Sequence, residues 1–472
     1  MLLICMGTSL AKHRSCREID SGLLRLAPVR QSLDCLEQGQ TASRHPLRAE
    51  QSKETTLPHT KLSDVGSDRA TAYNMSTKII RRGDELLIGW LDSPASKGEP
   101  VRAQLGICDG TSGALQTVIS LGGGVDNHCG PAISIDDNGR VHALVGAHHG
   151  NFLYRYSDSP ADEASWSSPE PIGPCHSYPA FLIDSSGTFH LAYREKGERW
   201  QLQYTRRQKG AEWETPVAIA ESPTPGYNHY MHSLSVGPTG RLHLTFQFHY
   251  SETGVSTDCL SKGMAHIISA DGGDSWTNED TPCTFPLTIQ TTNWITSCFH
   301  NPSATLRTGT HVADRNDRLW LFASLPDPGR GVMLHQTDEG WGEINLADQI
   351  PDLDLSGGKS TAISYDASDR IHLLVGTDPS KQNPGWYHPS NEIFHIAFDL
   401  AGTVLSYDQL TETDPERAHW LPSIERWDWC RPGDIGSGDH WHAYTSGIAA
   451  GMLNDPNYND ILRTEVFLSK LG

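Results

Sequence analysis

No apolar run in the 472 residues approaches the length of about 18 that a membrane-crossing helix needs, so a soluble chain with no membrane partner is expected. Basic residues are scarce: 37 Lys and Arg stand against 57 Asp and Glu, a formal net charge of −20 at pH 7. A protein that grips nucleic acid through its phosphates needs the opposite excess, which argues against that class. The ten cysteines include no CxxC pair, and a chain this long does not depend on disulfide staples. A mostly reduced set of thiols is expected. No GxSxG nucleophile elbow occurs, and no glycine-rich phosphate loop precedes a helical pattern. Long amphipathic helices are missing as well. What the chain has instead is 44 Gly, 28 Pro, 13 Trp and 14 Tyr, a supply of turn formers and aromatics that points to an all-β protein.

The amino terminus does not read as an export signal. Its short apolar stretch, Met1 to Ala11, is followed rather than preceded by Lys12, His13 and Arg14. Residues 1–72 are polar and show little periodicity, and they are expected to be disordered or wrongly assigned to the protein. The folded domain is expected over residues 73–472.

Within it one pattern recurs: an alternating apolar strand, a turn rich in Asp, Asn and Gly, and a second strand that carries His. It appears at Pro131, Pro179, His232, Pro302 and Thr361. The marker residues His142, His190, His243, Trp320 and His372 are spaced 48, 53, 77 and 52 apart, the long step holding an insertion at about residues 251–297. Strands around Ile79 to Trp90 and around Ile393 to Tyr407 supply two more units. About seven units of this size predict a seven-bladed β-propeller of four-stranded antiparallel blades, with a stacked pair of β-sandwiches as the alternative. The run from Ser269 to Trp276 fits the S-x-D-x-G-x-x-W Asp-box of sialidase-like blades, a structural turn.

In a propeller, residues just before the first strand of a blade and just after the second meet on one face. There the second unit places Asp126, Asn127, His128, His148 and His149. The third places His176, Tyr178, Arg194 and Glu195. The fourth places Asn228, His229, Tyr230, His249 and Tyr250, and the fifth opens with His300 and Asn301. The in-strand His142, His190, His243 and His372 recur at one place in the repeat and read as packing. The upper-face set is chemically mixed and concentrated in three units, which a uniform repeat would not produce, so it reads as a site. His, Tyr and Arg together suit β-elimination on a uronate: Arg pairs with the carboxylate and acidifies the neighbouring C–H, while His and Tyr move protons.

These residues resemble the seven-bladed propeller polysaccharide lyases, the ulvan lyases and their relatives. The resemblance runs over roughly Asn74 to Trp429 and is carried by D-N-H-C-G-P from Asp126, the pair His148-His149, S-Y-P-A-F from Ser177 and A-Y-R-E from Ala192. It implies His128, one of the pair His148-His149 (taken as His149), Tyr178, Arg194 and Tyr230, with His229 as its competitor, as catalytic residues, Arg194 neutralising the carboxylate. Asn127, His148, His176, His229 and His300 are the implied substrate-binding residues. No cofactor is implied for the chemistry. A structural zinc is suggested, held by His249, Cys259, Cys283 and Cys298 around the insertion. The resemblance further implies an acidic polysaccharide as substrate, a secreted or periplasmic location, and a monomer. Aromatics such as Trp386, Tyr387, Trp427 and Trp429 are candidates to stack on sugars. A sialidase-like hydrolase and a non-catalytic glycan-binding propeller are the competing readings.

Overall fold

Alternation of apolar and small or polar residues through each repeat produces short paired strands, joined by tight turns and, among the described residues, three single-turn 3-10 helices. The computed structural model describes residues 59–72, 75–96, 98–229, 231–380, 388–431, 440–448 and 463–472, without the side chains of His229, Lys359 and Arg463. Trp386 and Tyr387 therefore lie outside the described residues.

The described strands form five hydrogen-bonded sheets, two of which each run through two successive antiparallel groups, so that the strands are taken below in seven groups along the chain. The first holds Ile79–Arg82, Glu85–Asp92, Val101–Asp109 and Leu115–Gly124. The second begins with Ala132–Ile135, Val141–Val145 and His148–Ser157, and its outer edge is the start of the long strand Glu170–Ile183. That same strand continues as the inner edge of the third group, with Phe189–Glu195, Gln201–Arg207 and Val217–Glu221 outside it. The fourth is built on His232–Val236, Leu242–Tyr250 and Leu260–Ser269. The fifth runs from Arg307–Ala313 to Gly340–Asn345 and the sixth from Lys359–Tyr365 to Val404–Gln409. The last contains Ala418–Ile424, Trp441–Ile448 and Arg463–Lys470, and it is completed by His59–Gly66 from the other end of the chain. Successive innermost strands pack side by side, and a bridge from Ile79 to Glu425 joins first to last. This is the ring of a β-propeller, closed by pairing the two ends of the sequence.

Three expectations shift. The segment before residue 73 is not wholly outside the fold, because His59–Gly66 supplies an outer strand. Ile393 to Tyr407 is the outer half of the sixth group rather than a unit of its own. The expected insertion contains the fourth group's own third strand, Leu260–Ser269, and its edge pieces Thr277–Asn278 and Trp294–Ser297.

The apolar core is divided into packets, one between each adjacent pair of groups. Leu87, Val101 and Ile133 meet between the first two, Phe152, Phe181 and Leu191 between the next two, and Ile88, Trp90 and Trp441 across the closure. Each packet needs few residues, and every buried Leu, Ile or Phe adds about 1.5–3 kcal/mol relative to exposure, which is how a chain 37% apolar sustains so large a ring.

The lower turns repeat one device. The side chains of Asp136, Asp184, Asp314 and Asp366 each accept backbone N–H groups two and four residues on, as in an Asx-turn. Their second oxygens reach the marker residue six positions later: His190 at 3.1 Å, Trp320 at 3.1 Å, His372 at 3.2 Å and, more loosely, His142 at 3.5 Å. In the fourth group Gly237 stands where that Asp would be. Asp317 of the neighbouring group fills the vacancy, 3.0 Å from His243 Nε2, and a Cβ on Gly237 would lie 1.7 Å from its oxygen. The marker histidines are thus packing residues, as expected. Trp427 and Trp429 pack on Tyr365, and Trp429 Nε1 donates to the Ala313 carbonyl at 2.9 Å, so both indoles are engaged in packing.

Candidate active site

On the opposite side, where the inner strands begin, the repeat is broken by bulges. Among the described residues seven that are not glycine have left-handed backbone, and four of them share one cavity: His149 (φ 61°), Tyr178 (φ 60°), Ser360 (φ 48°) and Leu421 (φ 54°). Each sits at a shift in strand register. Such conformations cost roughly 1–3 kcal/mol each and persist where a side chain is being aimed. The cavity holds about 840 Å³.

Asp126 organises one wall. Its Oδ1 accepts the backbone N–H of His128 at 2.9 Å and lies 2.9 Å from His128 Nδ1. Its Oδ2 lies 2.6 Å from His148 Nδ1, and the two rings stack at 4.0 Å. Arg69 Nη1 lies 2.8 Å from His128 Nε2. The segment that carries Arg69 is tied down by Asn127, whose Nδ2 donates to Asp68 at 2.8 Å. Asn127 is buried and does not line the cavity, so its part is structural.

Burial alone would raise the Asp126 carboxyl, but hydrogen bonds from His128 and His148 outweigh it and hold the group well below the usual carboxylate range. Burial, reinforced by Arg69 and His148 and opposed by Asp126, takes His128 down to about 3. Burial and the charges of His148, Arg194 and Lys196 take His149 to about 3. Near neutral pH the wall therefore holds an ionised Asp126 carboxylate and neutral imidazoles at His128 and His149.

Opposite, Tyr178 lies with its ring 5.9 Å from that of His128. Beneath it is Arg194, fully buried, with its guanidinium 4.4 Å from the Tyr178 ring, 4.7 Å from Trp200 and 5.4 Å from Tyr227. Arg194 does not line the cavity; the rings stand between. In this structure it therefore lies behind the rings rather than at the cavity surface, where the carboxylate partner was expected, and places a charge under Tyr178. The arginines that do line the cavity are Arg69 and Arg307.

His148, His149 and His249 also face the cavity. His176 is buried, its ring 3.9 Å from that of Tyr193, and burial lowers it to about 4: it packs between strands and does not line the cavity. His300 is exposed, 3.8 Å from Asp327, and lies outside the cavity. Tyr230 and the His229 side chain fall outside the described residues, although the His229 backbone pairs with His249.

The expected zinc set is not assembled. His249 Nδ1 lies 2.9 Å from Ser261 Oγ, Cys259 Sγ faces the Val255 carbonyl at 3.6 Å, Cys283 packs against the apolar core between the third and fourth groups, and Cys298 Sγ faces the Ser261 carbonyl at 3.5 Å. Among the described residues the one group of His, Cys, Asp or Glu close enough to hold an ion is Asp126, His128 and His148, with ligand atoms within 4.8 Å. There each carboxylate oxygen already meets an imidazole Nδ1 and a guanidinium lies against His128, an arrangement that suits a hydrogen-bonded chain better than a cation.

Sequence reasoning missed Arg69, Trp200, Tyr227 and Arg307. Arg307 opens the fifth inner strand, so the positional rule that selected Tyr178 could have found it.

Among known proteins, the solved structure of an ulvan lyase from polysaccharide lyase family PL25 is similar, with a TM-score of 0.64 and 13% identity over 87% of this chain and 95% of that one. The same enzyme bound to a chain of GlcA and Rha3S matches equally. The polysaccharide lyase Uly1 gives a TM-score of 0.57 and 11% identity over 88% of this chain and 98% of that one. At such identities these likenesses show a shared fold. No curated protein matches the sequence. The model of the BNR repeat-containing family matches residues 109–348, just over half of the chain, and the protein belongs to that family.

Proposed function

We propose that the protein is a polysaccharide lyase that cleaves a uronate-containing, ulvan-like glycan by β-elimination. The carrying observation is the composition of the cavity. In a chain with 57 acidic residues and a net charge of −20, none of the described residues lining it is Asp or Glu. The lining offers two arginines, four histidines and two tyrosines instead. Exclusion of carboxylates lets a polyanion enter despite the charge of the whole. It also removes the paired carboxylic acids that most glycoside hydrolases require.

The role expected of Arg194 passes to Arg69 and Arg307, either of which can pair with a uronate carboxylate and so acidify the C–H beside it. A base takes that proton. The electron pair forms the new C=C bond as the glycosidic C–O bond breaks, and an acid returns a proton to the leaving oxygen. Tyr178, its ring 5.9 Å from that of His128, and the Asp126-held histidines supply base and acid in this reading, and no water is consumed. The solved lyases of similar fold, one of them bound to a glucuronate-containing chain, support the reading.

Incubation with ulvan and other glucuronate-containing polysaccharides, followed by ultraviolet absorbance, tests it. A lyase gives a rising signal from the unsaturated uronate, and Tyr178→Phe and Arg69→Ala should each abolish most of it. New reducing ends without absorbance would replace the proposal with a hydrolase, and binding without either product would replace it with a glycan-binding propeller.

A further inference from the structure

We infer that His148 presents the catalytic nitrogen of the histidine wall through its Nε2, and that Asp126 is the positioning residue that fixes it; this rests on the lyase reading above. An ionised carboxylate only accepts hydrogen bonds, so both imidazole nitrogens facing Asp126, Nδ1 of His128 at 2.9 Å and Nδ1 of His148 at 2.6 Å, carry their protons. A guanidinium only donates, so His128 Nε2, 2.8 Å from Arg69 Nη1, is the acceptor. Two independent contacts thus assign the same tautomer to His128, and its remaining lone pair is occupied.

His148 has the same tautomer and a different outlook. Its Nε2 makes no hydrogen bond to any described residue, and its ring lines the cavity with 20% of the side chain exposed. It offers a lone pair with a carboxylate behind it, the arrangement that orients an imidazole and stabilises it when it takes a proton. His149 lacks that support: its ring lies 3.4 Å from Ser177 Oγ and packs edge-on against Trp200, with no carboxylate behind it. The chain Asp68, Arg69, His128, Asp126, His148 is therefore a frame with one open end. Arg69 both occupies the wrong imidazole and lends a cation next to the right one.

Kinetics and histidine tautomers in the full-length protein test the assignment together. His148→Gln should lower kcat by about 10²- to 10⁴-fold with little change in KM, whereas His128→Gln should cost less. Asp126→Asn offers one donor and one acceptor where two acceptors stood, so one imidazole must reverse its tautomer. kcat should fall with KM retained, and Asp126→Glu should recover part of the loss. Long-range proton–nitrogen spectra of protein labelled with ¹⁵N-histidine, with His148→Gln and His128→Gln giving the assignments, read the tautomers without any substrate. Both rings protonated at Nδ1, and one of them reversed in Asp126→Asn, supports the inference. His148 protonated at Nε2 in the native protein overturns it. So does an Asp126→Asn protein with unchanged kcat and tautomers, or a stoichiometric metal in the purified protein that Asp126→Asn loses. Absence of turnover on every uronate polymer would instead sink the lyase reading, and the spectra would still decide the tautomers.

Discussion

At the lower turn of the sixth group Asp366 holds His372, whose other nitrogen lies 3.0 Å from His395; in the third group Asp184 holds His190, whose other nitrogen lies 2.7 Å from the Tyr204 hydroxyl. At the upper side Asp126 holds His148, and the far nitrogen opens onto a cavity. The residue types and their contact are the same. At these two lower turns both imidazole nitrogens are satisfied, and the Asp–His pair recurs around the ring, so it stabilises turns. At the top one nitrogen is left over, in one group alone among those described, beside backbone held in strained conformations. Function here lies where the repeat stops repeating.

The comparison can be broken by exchanging the damage. His148→Gln should lose about 10²- to 10⁴-fold in turnover and leave the urea unfolding midpoint where it was. His372→Leu, which strands a buried Asp366 carboxylate, should remove about 3–5 kcal/mol of stability in the same urea titration and leave turnover per folded molecule intact. Reversal of the two phenotypes would overturn the division. A smaller effect sharpens the lower half of it. Gly237→Ala drives a methyl into Asp317 and should cost roughly 1–3 kcal/mol. Gly237→Asp combined with Asp317→Asn restores the fourth group's own carboxylate and should recover much of that in thermal melts.

Acid should begin to destabilise the fold well above the carboxylate range. Burial holds His266, His311 and His395 well below 6.5. Below pH 6.5 the unfolded chain therefore binds protons that the folded chain refuses, and stability falls as pH falls, by up to about 1.4 kcal/mol per pH unit for each such group. Burial works against the ionised forms of Asp184, Asp317 and Asp366, but hydrogen bonds from His190, His243 and His372 outweigh it and lower all three, Asp184 to about 2. Their contribution is present above about pH 3.8 and is lost as pH falls below it. Denaturant titrations at pH 7.5, 6 and 5 should show the decline starting with the histidines. The smallest expected effect is that of a chelator: with His249, Cys259, Cys283 and Cys298 each engaged elsewhere, EDTA should leave the melting temperature unchanged, and a drop would restore the zinc site.

The ring was legible because its signal is redundant. A period-2 strand, an Asx-turn and a marker six residues after the Asp recur, and even Trp320 keeps the contact that His makes elsewhere. Asp126, His128 and His148 were legible because they flank strands on the side where the blades converge. Bulges hid the rest. His176 and Tyr178 share parity, yet the left-handed turn at Tyr178 sends it to the cavity while His176 packs against Tyr193. Arg194 ends a run, Phe189 to Arg194, that is buried without alternation, so the pattern could not say that aromatic rings would cover it. Arg69 gave no signal at all. Its segment belongs to the site only because the two ends of the chain pair, Gly66 with Thr464 among other contacts, and a repeat search cannot see that.

The most direct test of the upper site's chemistry is the mass of the oligosaccharides released from a glucuronate-containing polysaccharide. Elimination yields fragments whose new non-reducing end is one water lighter than hydrolysis would leave, and their formation should cease in His148→Gln and Tyr178→Phe. Fragments of full hydrolytic mass, or lighter ones that persist in both variants, would contradict a lyase centred on this wall of histidines.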